Sequence, residues 1–423
     1  MSLQLPHLHR ASFWSRQVHQ VRQGGLAVLR RKCSSALRLL VEIPLVTAAI
    51  PIVLLLRALR PLVLVRFSSL NCGAIGAFAG YTELYLCERD AGLHPQRSID
   101  IFHHGYSVCN QQLNKMWKRQ IHISPLSRPL YSAANLLPGG EVHVLQRRDD
   151  RDINGVIPRS RAHLSFTAKE DRWGQDGLQA LGLPPGAPFV CVYGRDEEYK
   201  GRSSPDFDQH NSFRNVTIHN VMSAAEELVK RGYFVIRMGA AVSEALRTTN
   251  PMIIDYATKA RSAFMDIYLC ARCKFFLGDT AGLSVVPRLF RRPIAFHNYF
   301  ALASRNVLAL HPGELLIPKK VRRIDEHRLM TFREFLETFP GDSLKYTSDL
   351  ERAGVECIEN TPEEILSLAI EMDERRNGTW QTTQEDEDLQ RRFWSLLDIK
   401  GPVEESLPRM GAEFLRQNQE LLD

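Results

Sequence analysis

Four short stretches each end an apolar run with residues suited to holding a phosphate. They are GRDEEYK (194–200), RMGA (237–240), GDTAGLS (278–284) and HNY (297–299). Arg195, Lys200 and Arg237 supply cations, and Thr280 and Ser284 supply hydroxyls. Gly282 opens an apolar-periodic pattern that reads as a helix start. A helix start leaves backbone N–H groups unpaired and carries a partial positive charge, so it can hold an anion. Cations beside free N–H groups suit a phosphate or diphosphate. Asp279 has the wrong sign for that ligand and is read as a cap or as a partner of a sugar hydroxyl. Gly239 lets the second stretch approach closely, Arg214 and Asn215 in SFRN are placed to close over a ligand, and Asn298 or Asp266 to touch its sugar or base. Each residue also has an ordinary role: Arg195 can pair with Asp196, Arg237 can satisfy a helix C-terminus and Thr280 can cap. The diphosphate reading rests on four strand ends loaded in the same way.

Other chemistries leave no comparable mark. There is no GxxxxGK[ST] phosphate loop, no HExxH and no Cys/His cluster at zinc spacing, so neither a metal nor a cofactor is expected. Cys270 and Cys273 form a lone CxxC beside a buried strand and read as core thiols. Gly73, Gly76 and Gly80 are spaced GxxGxxxG rather than GxGxxG, which suits a strand-turn-helix unit more than a dinucleotide fingerprint. His103 and His104 end a strand, where adjacent side chains point to opposite faces, so at most one of them faces a site.

The elements that must carry these residues alternate. PLVLVRF reads as a strand, the glycine-marked turn after it runs into a helix, and RSIDIFHHG is a second strand, followed by the helix NQQLNKMWKRQ and a strand in EVHVLQRR. LGLPPGAPF (181–189) is a hinge rich in Pro and Gly. Beyond it FVCVYGRD, YFVIRMG, KFFLG and PIAFHN read as strands separated by helices, which implies parallel crossovers in a doubly wound sheet. NTPEEILSLAIEMDERRNG carries Thr361 as N-cap, Glu364 as its capping-box partner and Gly378 as stop.

At 423 residues two domains are the default, and with 44% hydrophobic and 24% charged residues the chain is globular. The charge is unevenly placed. Residues 1–66 hold ten of the 54 Lys/Arg and one of the 48 acidic residues, leaving a body with 44 basic against 47 acidic groups. The excess charge argues for a membrane-facing basic arm rather than a nucleic-acid surface. LLVEIPLVTAAIPIVLLL (39–56) has about the minimum length for a span, roughly 17–20 residues, but Glu42, Pro44 and Pro51 interrupt it. A re-entrant or interfacial anchor is therefore favoured over a span. The scattered cysteines point to a reducing compartment.

The blocks VCVYGRDEEYK, FRNVTIHNVMSAAEELVKRGYFVIRMG, IIDYATKARSAFMDIYLCARCKFFLGDTAGL and ENTPEEILSLAIEMDERRNG, with the closing PRMGAEFLRQNQELL, resemble the successive signatures of a little-characterised family of bacterial proteins taken to be glycosyltransferases and associated with surface-polysaccharide gene clusters. The family is similar to GT-B glycosyltransferases, which implies an α/β fold of two facing Rossmann-like domains. On that pattern residues 1–65 are a basic arm and apolar anchor, 66–182 an acceptor domain, 183–380 a nucleotide-sugar donor domain and 381–423 C-terminal helices packing back. The resemblance implies a metal-independent hexosyl or related transferase without cofactor, taking a nucleotide sugar and a glycan or lipid-linked acceptor at the cytoplasmic face of the inner membrane, anchored through residues about 39–65. GDTAGLS is also similar to the shorter DTGLSH turn of bacterial heptosyltransferases, with Ala281 inserted and Val285 in place of the histidine. The family's first glycine turn commonly continues into a histidine, where this chain has Ala77. A base then has to come from Glu83, His103, His104 or Asp196. The alternatives are a nucleotide-sugar epimerase or hydrolase and an inactive membrane-tethered subunit of a polysaccharide assembly.

Overall fold

The computed structural model describes residues 40–146, 152–198, 211–300, 302, 310–341, 343–397 and 407–423. The chain divides into two compact units. One comprises residues 1–69, 97–103 and 123–146, the other 70–96, 104–122 and 147–423. None of the points at which the chain passes between them falls in residues 181–189.

The first unit holds helix α1 (Leu40–Ala58) and the three-stranded sheet β1 (Leu64–Leu70), β2 (Ser98–His104) and β3 (His122–Ile123), in that spatial order. Arg66 on β1 grips Asp100 on β2 through Nε and Nη2, both at 2.7 Å. In the second unit α2 (Ile75–Asp90) and α3 (Gln111–Trp117) form where the sequence places them. Asn110 caps α3 by accepting from the Leu113 N–H, and the Trp117 indole donates to the Phe78 carbonyl of α2. The first unit also contains α4 (Ser127–Leu136). After it, EVHVLQ, the described part of EVHVLQRR, does not form the expected strand. It folds as a 3₁₀ turn over Gly140–His143, and only Val144 bridges to Phe67.

The hinge residues follow α5 (Ala168–Ala180), whose start is closed by a Thr167/Glu170 capping box, and the second unit continues through them. Its main sheet comprises β4 (Phe189–Val192), β5 (Phe234–Arg237), β6 (Ile253–Asp255), β7 (Phe276–Gly278), β8 (Ile294–Tyr299), β9 (Leu315–Pro318) and, after three strands of a side sheet, the last strand Arg409–Met410. The spatial order is last strand, β9, β8, β7, β4, β5, β6, with parallel pairing throughout. The four expected strands are therefore consecutive neighbours, β8-β7-β4-β5. Their side chains are almost all buried, as parallel strands covered on both faces require. The side sheet pairs β10 (Lys320–Arg323) antiparallel with β11 (Arg328–Leu329) and β12 (Val355–Ile358). α6 (Met222–Lys230), α7 (Tyr256–Lys259), α8 (Ala263–Arg272) and α9 (Val286–Leu289) supply crossovers. α10 (Phe332–Thr338) and α11 (Thr347–Arg352) precede α12 (Pro362–Asn377), which has the Thr361/Glu364 capping box and a left-handed stop at Gly378 (φ 71°). Cys270 and Cys273 are buried free thiols.

Candidate functional site

In the main sheet the chain runs outward from β4 to β6, then returns to β7 and runs the other way to β9. The reversal lies between β4 and β7, where an open α/β sheet leaves a crevice at its carboxyl edge. Arg195 follows β4 and Asp279 follows β7. The Arg195 backbone N–H donates to Asp279 Oδ2 at 2.6 Å, and the Arg195 guanidinium donates to the Asn211 carbonyl at 2.8 Å. Asp279 thus ties the two strand ends together. It is buried, and its Oδ1 has no partner among the described residues. Burial pushes its carboxyl up to about 7, against the Arg195 N–H and the charges of Arg214, Arg195 and Lys319.

The turn after Asp279 is tighter than the expected helix. It is one 3₁₀ turn, Gly282–Val285, continuing into the single turn of α9, where Pro287 ends any longer register. The Ser284 hydroxyl donates to the Asp279 carbonyl at 2.7 Å, so it holds the turn rather than presenting itself to a ligand. The N–H groups of Gly282 and Leu283 open the turn without an intrahelical acceptor. Gly282 also lies against the first turn of α2. A Cβ on Gly76 would stand 2.7 Å from the Gly282 Cα, so glycine is required there by close backbone approach.

Over this turn lies a cavity of about 570 Å³, and its lining falls wholly within the second unit. Its lining includes Gly76, Ala77, Thr280, Gly282 and Arg214. The Arg214 guanidinium donates to the Thr280 carbonyl and forms no ion pair among the described residues. Burial, then the neighbouring Arg195, lower its pKa. The lining also holds aromatic rings, those of Phe213, Phe296, Tyr299, Phe300, Phe335 and Phe339. The Phe213 and Phe300 ring centroids are 4.2 Å apart. Two more cations, Arg288 and Lys345, reach the wall, and Arg288 is engaged by Glu314 at 2.7 and 2.8 Å.

Asn298 sets the angle of this aromatic wall. It has a left-handed backbone (φ 49°) at an irregularity in the β8–β9 pairing. Its N–H donates to Asn360 Oδ1 at 2.5 Å, and the Asn360 N–H donates back to its Oδ1 at 2.7 Å. Such a conformation costs about 1–3 kcal/mol and persists only where its surroundings over-determine it. Asn298 is therefore a support for Tyr299 and Phe300, not a wall residue. Beside it His297 is buried, held neutral by desolvation that lowers its pKa to about 4, with its Nε2 3.2 Å from the Tyr193 carbonyl.

The remaining candidates lie elsewhere. Arg237 is 1 % exposed, with Nη1 2.9 Å from the Glu244 carbonyl and 3.3 Å from Asp255. It is an internal ion pair, away from the cavity wall. Gly239 faces Val242 and Ala257. Asn215 gives its carbonyl to the Lys319 ammonium at 2.7 Å. Asp196 accepts from Ser243 N–H and Oγ–H, both at 2.8 Å, and shapes its own loop. Asp266 accepts from Tyr256 and Arg261. Lys200 lies outside the described residues.

Of the base candidates, none lines the cavity. His103 belongs to the first unit, with Nδ1 3.2 Å from Ser127 Oγ. His104 contacts Asn114 Oδ1 at 2.8 Å. Glu83 is buried in a charge network, accepting from Arg291 at 2.7 Å beside His163 at 3.1 Å. Burial opposes charge on His163, yet Cys87, Glu83 and Asp90 together raise its pKa to about 10. Glu83, Cys87 and His163 have ligand-type atoms within 4.8 Å of one another, but the Arg291 guanidinium already occupies that place, 3.6 Å from Cys87 Sγ. Among the described residues the cavity lining contains no Asp, Glu or His.

Asp279 gives the site a pH dependence of definite sign. Its pKa is raised by burial, so it is protonated below about 7 and charged above. An anion bound beside it disfavours the charged form further, so binding takes up a proton. Affinity for a nucleoside diphosphate should therefore fall as pH rises from 6 to 8, by up to about tenfold per unit above the pKa, and Asp279→Asn should flatten the profile. Calorimetric titration across that range measures it, and a wild-type profile as flat as the variant's would contradict the assignment.

No protein-family model matches the sequence, and no curated protein sequence does. Among solved structures, a glycosyl transferase family 9 protein of Veillonella parvula shows a partial likeness, with 12% identity, 56% of this chain and 80% of that chain covered, and a TM-score of 0.35. The E. coli ADP-heptose LPS heptosyltransferase II gives 14% identity, coverage of 55% and 84%, and a TM-score of 0.32. The iron-containing dodecameric glycosyltransferase TibC of enterotoxigenic E. coli gives 14%, 55% and 60%, and 0.30.

Proposed function

We propose that this chain binds a nucleotide sugar in the cavity over the Asp279–Val285 turn and acts as a glycosyltransferase on a glycan or lipid-linked acceptor in surface-polysaccharide synthesis. The observation that carries the reading is the mixed lining of the cavity. Phe213, Phe296, Tyr299 and Phe300 suit a nucleobase, and the same cavity holds the Arg214 guanidinium, without an ion pair among the described residues, and the Gly282 turn with its open N–H groups, which suit a diphosphate. Departure of a nucleoside diphosphate needs electrostatic stabilisation, and these groups supply it without a metal. Thr280 and the glycines at 76 and 282 let the diphosphate reach the backbone. The domain arrangement we infer is GT-B-like, with α1 and the basic leader holding the chain at the cytoplasmic membrane surface.

A second reading is favoured by one observation. Ala77 stands on the cavity wall, and among the described residues no carboxylate or imidazole lines it. A site of that composition binds a donor readily and supplies no base, which suits a nucleotide-sugar-binding subunit of an assembly complex. Incubation with nucleotide sugars and membrane extracts from a polysaccharide-producing strain separates the two. Free nucleoside diphosphate together with sugar in the glycolipid fraction supports transfer. Release without any acceptor indicates a hydrolase or epimerase. Tight donor binding with neither product supports the subunit.

A further inference from the structure

α1 does not stand clear of the protein as a crossing helix would. Val46, Ala49, Ile50 and Val53 lie on one stripe and pack against Leu130, Ala133, Ala134 and Leu137 of α4 and its end, with Ala49 at 3 % and Val53 at 0 % exposed. The small residues at the centre let the two backbones approach. The same stripe carries the helix's two charged groups, and both are tied to the same partner. Glu42 meets Arg128 at 3.4 Å near the start of α4, and Arg57 donates to the Pro138 carbonyl at 2.7 Å just past its end. An adjoining side of α4 faces the sheet, where Ser127 contacts His103 of β2 and the Tyr131 ring lies 5.3 Å from the His103 ring.

The rest of α1 is apolar and open. Leu40, Val41, Ile43, Leu45, Ile52, Leu54 and Leu55 are about half to two-thirds exposed, and Leu126 and Leu136 at the two ends of α4 continue the surface at 74 % and 71 %. Taking the membrane reading of the preceding section as given, we infer that α1 lies in the plane of one leaflet, and that α4 and the sheet of the first unit stay above it. Nineteen residues span about 28 Å, nearly the whole hydrocarbon thickness of about 30 Å. A crossing α1 would therefore carry α4, docked along it, through the hydrocarbon, with the exposed Asn135 beside Ala133 and Ala134 within the apolar layer and the Glu42–Arg128 pair and the 137–143 loop toward its two faces. A lipid-exposed amide side chain at that depth is costly. Pro51 also leaves the Thr47 carbonyl without its helical donor, which an interfacial position can hydrate and the bilayer centre cannot. The in-plane arrangement immerses only the apolar arc, while Arg57, Arg60 and Arg128 sit at headgroup depth, where their charge matches anionic lipid.

Val41, Ala48 and Leu55 are all exposed and spaced by seven, so they share one stripe. Each is replaced by cysteine in the full chain and labelled with bimane, the signal of the unsubstituted chain being subtracted. Quenching by shallow and deep spin-labelled lipids is then measured in vesicles of phosphatidylethanolamine and phosphatidylglycerol. In-plane seating gives the three positions one common depth. A profile with Ala48 about 10 Å deeper than both ends, as 1.5 Å per residue requires of a crossing helix, overturns the inference while leaving membrane binding intact. Absence of quenching at all three overturns it together with the membrane reading, and leaves the nucleotide site to its own test.

Discussion

Arg237→Ala should lower stability by about 3–5 kcal/mol, because it leaves the Asp255 carboxylate buried without its counter-charge. Asp255 is 4 % exposed and takes its remaining support from the Leu246 N–H at 2.9 Å. The loss should appear as a fall in the denaturant midpoint, and nucleotide affinity of the folded fraction should be unchanged. Replacing the pair together, Arg237→Met with Asp255→Leu, should recover much of the loss, since swapping a buried ion pair for apolar residues is often neutral or stabilising. A folded Arg237→Ala protein of wild-type stability that no longer binds nucleotide would contradict this and return Arg237 to the ligand.

Gly76→Val should abolish nucleotide binding and destabilise by about 1–3 kcal/mol, the usual range for forced overpacking. The new Cβ would meet the Gly282 Cα at 2.7 Å and its carbonyl oxygen at 3.0 Å, and backbone on both sides cannot yield as a side-chain tip can. Either α2 moves away or the 282 turn is pushed into the cavity. Gly80→Ala is the matched control, because its Cβ would meet only the Val285 Cγ1 methyl at 3.3 Å. Thermal melts and nucleotide titration of both variants measure the contrast. Equal binding by Gly76→Val and the native chain would show that the approach of α2 to the turn does not shape the site.

The sequence was informative where a residue's local pattern decides its structure. Apolar runs ending in Gly or Arg gave β4, β5, β7 and β8, and Thr361, Glu364 and Gly378 gave both ends of α12, because strand burial and helix capping are local. The strands Ile253–Asp255 and Arg409–Met410 were not legible, since neither stands out as an apolar run closed by Gly or Arg. EVHVLQRR alternates like a strand yet is held as a 3₁₀ turn, where the His143 ring contacts the Val65 carbonyl at 2.6 Å, a tertiary bond that alternation does not encode.

In the site, the turn at 278–284 and Arg214 could be named from their types, whereas the aromatic wall could not. Phe213, Phe300 and the pair Phe335 and Phe339 come from three separate segments and read singly as core. Arg237 and Asp196 lie off the cavity wall, engaged by Asp255 and Ser243, partners that only the fold brings to them. Lys319, which holds the Phe213 and Asn215 carbonyls, was missed for the same reason.

The most direct test of the central claim is calorimetric titration of the chain with UDP, GDP, ADP, CMP and dTDP and their common sugars, with Arg214→Ala alongside. Among the described residues Arg214 donates to the Thr280 carbonyl alone, so its loss should leave the fold intact. The account predicts one preferred nucleotide and a loss of about tenfold to a hundredfold in affinity for the variant, the worth of one charge-assisted bond of about 1.5–3 kcal/mol. No binding of any nucleotide by folded protein, or equal binding by Arg214→Ala, would contradict it.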